Sequence, residues 1–133
     1  MDRCINLTLP VYWVNEKKTK PSTTHLIGMN FYRNAHHFSQ NNMKKFVSTI
    51  VKSQLATDIQ GATKYKVKYT YFYKSKVSDL MNVVSLSSKI LNDALQEAGV
   101  VVNDTVAHCI EETAIVGSYD KDNPRVEVEI TIL

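Results

Sequence analysis

Between Lys64 and Lys74 the side chains alternate in character. Tyr65, Val67, Tyr69, Tyr71 and Tyr73 take one parity, and Lys64, Lys66, Lys68, Thr70, Phe72 and Lys74 take the other. A period of two sustained over this length describes an extended strand, because a helix would scatter the two sets around its circumference. The strand has a tyrosine-rich face and a lysine-bearing face. Tyrosines so spaced could stack bases, but a packed sheet face is the commoner use.

The flanking segments supply the rest of a sheet and its cover. Ile5 to Leu9 alternates and stops at Pro10, which cannot donate to a ladder, so a short first strand is expected. Asn15 to Asn30 carries Lys17, Lys18, Lys20, Pro21 and Gly28 without a sustained period and reads as a loop. From Asn34 to Leu55, Phe38, Phe46, Val47, Ile50, Val51 and Leu55 recur at helical spacing. Asp58 to Thr63, with Gly61, turns the chain. Asn82 to Ala98 is a second amphipathic helix, with Val83, Val84, Ile90, Leu91, Ala94, Leu95 and Ala98 on its apolar face and Gly99 as its terminator. Ala107 to Val116 and Arg125 to Leu133 read as strands. The turn chemistry of Gly117 to Pro124 suggests that these two form a hairpin with a long loop. The order β-α-β-α-β-β predicts an α/β protein of the α+β mixed-sheet kind, with helices packed on one face.

At 133 residues and average composition the chain forms one domain, residues 1–133, with enough apolar surface for a single core. Cys4 and Cys109 lie far apart without metal-ligand spacing, which fits reduced thiols and a cytoplasmic setting. No apolar run approaches the ~18 residues of a membrane span, and the N-terminus lacks the apolar block of a signal peptide. The net charge of +3 is modest, but its distribution is uneven. Arg33, Lys44, Lys45, Lys52, Lys64, Lys66, Lys68, Lys74 and Lys76 are opposed only by Asp58, whereas acids dominate from Asp79 onward. A basic middle beside an acidic end suits a polyanion handled next to carboxylates. Arg33, Lys44, Lys45, Lys74 and Lys76 are the candidate DNA-contacting cations.

Asn82, Lys89 and Asp93 form a polar stripe opposite the apolar face of the second helix. Any solvated helix face looks similar, and Asp79 has an ordinary use as the helix cap. After Gly99, the five residues Val100 to Asp104 reach about 16 Å if extended, enough to return beside Asp93 and Lys89. Asp79 and Asp93 cannot share one ion if the helix is continuous, because Asn82 and Asp93 are already about 16 Å apart along the axis. His36 and His37 stand beside Arg33, but adjacent histidines in a helix point about 100° apart. His25, His108 and Trp13 read as packing or surface residues. No glycine-rich phosphate loop or Ser-His-Asp pattern is present.

Asp79-Leu80-Met81-Asn82, then Lys89 through Leu95 with Asp93-Ala94-Leu95, then Ala98-Gly99-Val100 and Asn103-Asp104, resemble the RusA-type Holliday junction resolvases. That family's signature is Asp-x-Asp-Asn at a helix start, a Lys, Asp-Ala-Leu near the helix end, a Gly and an Asp-Asp pair. Asn123 to Ile130 is similar to the closing strand of phage-borne members, and Ile5 to Pro10 to the opening strand. The resemblance implies a homodimeric, structure-selective endonuclease that nicks four-way DNA junctions with Mg²⁺ or Mn²⁺ bound by aspartates. It assigns Asp79 and Asp104 as metal ligands, Asp93 as a third carboxylate, Lys89 as the charge at the scissile phosphate and Asn82 as an orienting group.

The chain departs from the pattern in three places. Met81 replaces the second helix-start Asp, Asn103 replaces the first member of the Asp-Asp pair, and about four extra residues separate Asn82 from Asp93. Two alignments follow. Either Asp79 is the first ligand with an extra helical turn after it, or alignment on Lys89 and Asp93 leaves Ser85 where that Asp belongs. Thioether sulfur is a poor Mg²⁺ ligand. Met81 therefore keeps a second expectation open, a RusA-fold module that binds DNA junctions or a host protein without cutting.

Overall fold

The computed structural model describes residues 3–55 and 58–133; Met1 and Asp2, at the start of the alternating N-terminal stretch, lie outside them. The elements are β1 (Arg3–Pro10), β2 (Tyr12–Asn15), β3 (Thr23–Leu26), α1 (Met29–Asn34), α2 (His37–Ser53), β4 (Tyr65–Tyr73), α3 (Leu80–Glu97), β5 (Cys109–Tyr119) and β6 (Arg125–Ile132). Four strands make one mixed sheet in the order β1-β6-β4-β5, and β2 and β3 make a separate antiparallel pair. This is the α+β mixed-sheet architecture expected from the element order.

Alternation decides which face is covered. Ile5, Leu7 and Leu9 of β1, Val126, Val128 and Ile130 of β6, and Tyr65, Val67, Tyr69 and Tyr71 of β4 are all buried. Against them pack Met43, Val47 and Val51 of α2 and Val83, Leu86, Ile90, Leu91 and Leu95 of α3. The opposite face is polar: Asn6, Thr8, Lys68, Thr70, Glu127 and Glu129 line a shallow depression there. Buried phenols need hydrogen-bond partners. Tyr65 Oη donates to Asn92 Oδ1, Tyr69 Oη donates to Glu112 Oε1 at 2.6 Å, and Tyr71 Oη pairs with Ser78 Oγ at 3.0 Å. The partners come from α3, β5 and the loop before α3, so the tyrosine face fixes where those segments lie.

The last two strands are not hairpin neighbours. β6 inserts between β1 and β4, antiparallel to both, while β5 runs parallel to β4 at the sheet edge. The turn after β5 therefore crosses over the end of β4, where the Asp120 amide bonds to Tyr73 O at 2.8 Å. Burial supplies the reason. β6 buries Val126, Val128, Ile130 and Thr131 and fills a central position, whereas most of β5 is exposed and suits an edge.

The segment read as a loop, Asn15 to Asn30, holds β3 and the start of α1, and β2 ends where it begins. Their contacts are aromatic: His25 stacks on Phe31 at 4.1 Å and Trp13 approaches Phe31 at 6.3 Å. The long first helix begins later than expected, because Ala35 and His36 are extended and separate α1 from α2. Phe38, assigned by spacing to the apolar face, is 67% exposed. Cys4 and Cys109 are free thiols on the two edge strands of the sheet. Three strand spacings, about 14 Å, separate those strands, well beyond disulfide reach.

Gly99 ends α3 with φ +77°, and Val100 N–H returns to Leu95 O at 3.0 Å. A side chain at this position strains the backbone. Gly99→Ala is expected to lower unfolding free energy by about 1–2 kcal/mol in urea titration with an unchanged m-value.

Candidate functional site

α3 crosses from β4 to the parallel strand β5, and the chain leaving its C-terminus lies beside its last two turns. Val100 and Val101 are buried and pinned to the turn before β4: Ala62 N–H bonds to Val100 O at 2.9 Å and Val102 N–H to Ala62 O at 3.0 Å. Asp104 is thereby carried back toward α3. Lys89 and Asp93 of α3, Asp104 of the returning segment, and Glu111 and Glu112 of β5 line one cleft of about 390 Å³, with Ser88, Asn92 and Cys109 on its walls.

Glu112 is held by a ring of donors. Its carboxylate accepts from Tyr69 Oη at 2.6 Å, from Ser88 Oγ at 2.8 and 2.9 Å, and from Asn92 Nδ2 at 3.0 Å. Asn92 links it to Tyr65 through the second buried phenol. Burial, reinforced by the Glu112 charge, pushes Tyr69 well above the ordinary phenol range, and burial raises Tyr65 as well. Cys109 is raised by burial and by the same carboxylate, so its thiol is not an activated nucleophile.

A second groove, about 440 Å³, runs between α2 and α3. Lys44, Lys45 and Lys52 line it on the α2 side, and Ile90, Asp93 and Glu97 on the α3 side. Lys52 is paired with Glu97 at 2.5 Å and holds that carboxyl below its usual range. Asp93 belongs to both the groove and the cleft.

The remaining candidate residues lie elsewhere. Asp79 caps α3, accepting from Met81 N–H at 3.0 Å. Fourteen residues separate it from Asp93, about 21 Å along the helix, so the structure does not bring it to Asp104. Asn82 holds α1 instead of orienting Asp79: its Oδ1 accepts the Asn30 amide at 2.7 Å, and a Cβ on Gly28 would stand 2.6 Å from its Nδ2. The five DNA-contact candidates are dispersed. Lys44 and Lys45 share the groove, Lys74 lies over the Tyr12 ring at 5.5 Å, Lys76 sits beside Leu80 at the opposite end of α3, and Arg33 is exposed at the end of α1. Met81 is exposed and borders Ala114 of β5. His36 lies outside α2 as its N-cap, so its ring comes within 4.2 Å of His37 instead of pointing away. Lys89 is steadied by the Tyr32 ring, 5.3 Å away.

Among the described residues no group of three His, Cys, Asp or Glu side chains is placed to hold a metal ion. The donors of the cleft are nonetheless hard oxygens, and Mg²⁺ commonly takes one or two carboxylates with water and substrate phosphate completing its shell. Asp93 and Asp104 line the cleft together; Asp79 does not. Glu112, Ser88, Asn92 and Lys52 were not candidates from sequence. The only hint for Glu112 was a carboxylate pair in a strand otherwise poor in charge.

The chain matches no protein-family model and no curated protein. No described helix is long and apolar enough to cross a membrane.

Truncating Glu112 leaves buried donors unpaired. Glu112→Ala is expected to cost about 1–3 kcal/mol by chemical denaturation, and adding Tyr69→Phe to it should recover part of the loss. Raised phenol values also give a sign for pH. The stabilisation they report is intact below the unfolded value of about 10 and is lost as pH rises toward the folded value. Tyr69→Phe should therefore show a smaller drop in Tm between about pH 9 and about pH 11 than the unaltered protein.

Proposed function

We propose that this protein is a RusA-type, metal-dependent endonuclease selective for branched DNA, with four-way junctions as substrate. The observation that carries the reading is the position of Asp93, shared between a groove lined by lysines and a cleft holding Lys89 and Asp104. Lys44 and Lys45 supply contacts to phosphate that do not depend on sequence, as recognition of a DNA shape requires. A backbone following that groove arrives at the carboxylates with Lys89 beside them.

Of the two alignments with the family, the structure favours the one through Lys89 and Asp93. Those residues share the cleft with Asp104, and Ser85 lies one turn earlier, bordering Glu112. Asp93 and Asp104 would hold Mg²⁺ or Mn²⁺, which supplies an activated water and neutralises charge on the phosphate when bound. Lys89 would steady the scissile phosphate. A junction has two-fold symmetry, which a homodimer matches with two equivalent sites. Free thiols at Cys4 and Cys109 accord with action in a cytoplasm.

The second reading is a junction-binding or host-protein-binding module that does not cut. It is favoured by Asp79 acting as a cap and by the lack of a three-residue ligand group among the described residues.

The test is nicking of a synthetic four-way junction with Mn²⁺ or with EDTA. The unaltered protein should nick only with the metal. Asp93→Asn and Asp104→Asn should lose more than about a hundredfold in rate, equivalent to about 3 kcal/mol or more, and keep junction affinity in EDTA. Asp79→Asn should retain nicking, because Asn also caps helices. Loss in Asp79→Asn with retention in Asp104→Asn would overturn this placement of the site. Binding without nicking by the unaltered protein would establish the second reading.

A further inference from the structure

The corner between α1 and α2 carries three aromatic rings that the core does not use. Phe38 is 67% exposed, and His36 and His37 are exposed beside it. Ring centroids lie 4.2 Å apart for His36 and His37, 4.3 Å for His37 and Phe38, and 5.1 Å for His36 and Phe38. The cap bond from Phe38 N–H to His36 Nδ1, at 3.3 Å, ties the first ring to the backbone of the third. A single exposed ring is ordinary, but three in mutual contact make a platform open to solvent. The surroundings are cationic. From Lys17 to Thr57 the chain contains no Asp or Glu, and the carboxylates of the neighbouring groove, Asp93 and Glu97, both come from α3. Arg33 is exposed at the end of α1. Asn42, Lys45 and Thr49 are exposed and fall within about 40° of Phe38 around α2, with Lys45 about 10 Å along the axis from the ring. A line drawn along α2 from Phe38 thus passes directly to the lysines of the groove.

We propose that this corner stacks an unpaired base of a DNA strand whose phosphates run along the lysines of α2. Every base has a π face, so an aromatic platform holds it without reading sequence, just as lysines hold phosphate. The two kinds of contact belong together. Cations alone bind duplex and single strand through the same phosphates, whereas a ring gains a partner only from a base that has left its stack. An apolar protein partner is a poorer match for Phe38, because its neighbours in the ring cluster are imidazoles and the next turn of α2 presents the exposed amides of Asn41 and Asn42. Phe38 lines neither the groove nor the carboxylate cleft, so the platform is a site of its own. The inference rests on the proposed use of the groove for DNA and adds that a strand lying there leaves one nucleotide unstacked at the α1–α2 corner. DNA with unpaired nucleotides is therefore bound in preference to continuous duplex.

Fluorescence anisotropy in EDTA, with a labelled oligothymidylate of about 12 nucleotides and a duplex of the same length, tests the platform without any nuclease assay. Phe38→Ala, at an exposed site, should keep the far-UV circular dichroism spectrum and weaken single-strand binding at least about fivefold, while changing duplex affinity less than about twofold. Phe38→Trp should bind the single strand as the unaltered protein does, since another large π face serves. Lys45→Ala should weaken both ligands and flatten the dependence of log K on log salt by roughly 0.7 for the single strand, whereas Phe38→Ala should leave that slope unchanged. An oligonucleotide of abasic sites makes the matching change in the DNA: the unaltered protein should bind it no better than Phe38→Ala binds the oligothymidylate. Single-strand affinity unchanged in Phe38→Ala, an equal loss on duplex, or full-strength binding of the abasic strand would each overturn the inference and leave the groove's use for DNA standing. Failure of the unaltered protein to bind either DNA would overturn both.

Discussion

Three phenolic hydroxyls on the covered face of β4 govern the arrangement of the molecule. Tyr65, Tyr69 and Tyr71 are at most 2% exposed, and each hydroxyl left without a partner would cost about 1–3 kcal/mol. A small domain has only about 5–15 kcal/mol in total, so three such defects could not be carried together. The fold provides Asn92 from the helix above, Glu112 from the strand beside and Ser78 from the loop between them. The requirement to satisfy Tyr69 draws an acidic side chain of an edge strand against α3, and that contact forms one wall of the cleft.

The other wall depends on the segment that follows Gly99. The helix stops in a left-handed residue, two valines bury themselves against the turn before β4, and Asp104 is returned to Lys89 and Asp93. Hydrophobic burial of Val100 and Val101 therefore sets the position of a charged group. The lysines of α2 reach the same place by a different route, since α2 packs on α3 and leaves its polar side open as a groove ending at Asp93.

Polarity divides the crossover unit into two parts. Polar residues of the last half of α3 and the first half of β5 surround the cleft, whereas Met81 in the first turn of α3 and Ile115 and Val116 in the second half of β5 are apolar and exposed. Met81 falls in the second region. Its place in the sequence, two residues after Asp79, suggested a lost carboxylate. In the fold it is half-exposed and borders Ala114 of β5.

Local periodicity determined a good deal. The alternation of β4, the apolar face of α3, the stop at Gly99 and the return of Asp104 toward Asp93 and Lys89 all follow from side-chain spacing and chain reach over a few turns. So does the separation of Asp79 from Asp93, because helix rise is fixed. Tertiary structure alone decided the strand order, the β2–β3 pair, the use of Asn82 to hold α1 and the recruitment of Glu112 by Tyr69. Each of these joins residues distant in sequence through hydrogen bonds or ring contacts, and no repeat along a chain records which partner a side chain finds across a sheet. The dispersal of the cations has the same cause: Lys44 and Lys76 belong to one basic stretch of sequence, but they project from elements that meet opposite ends of α3.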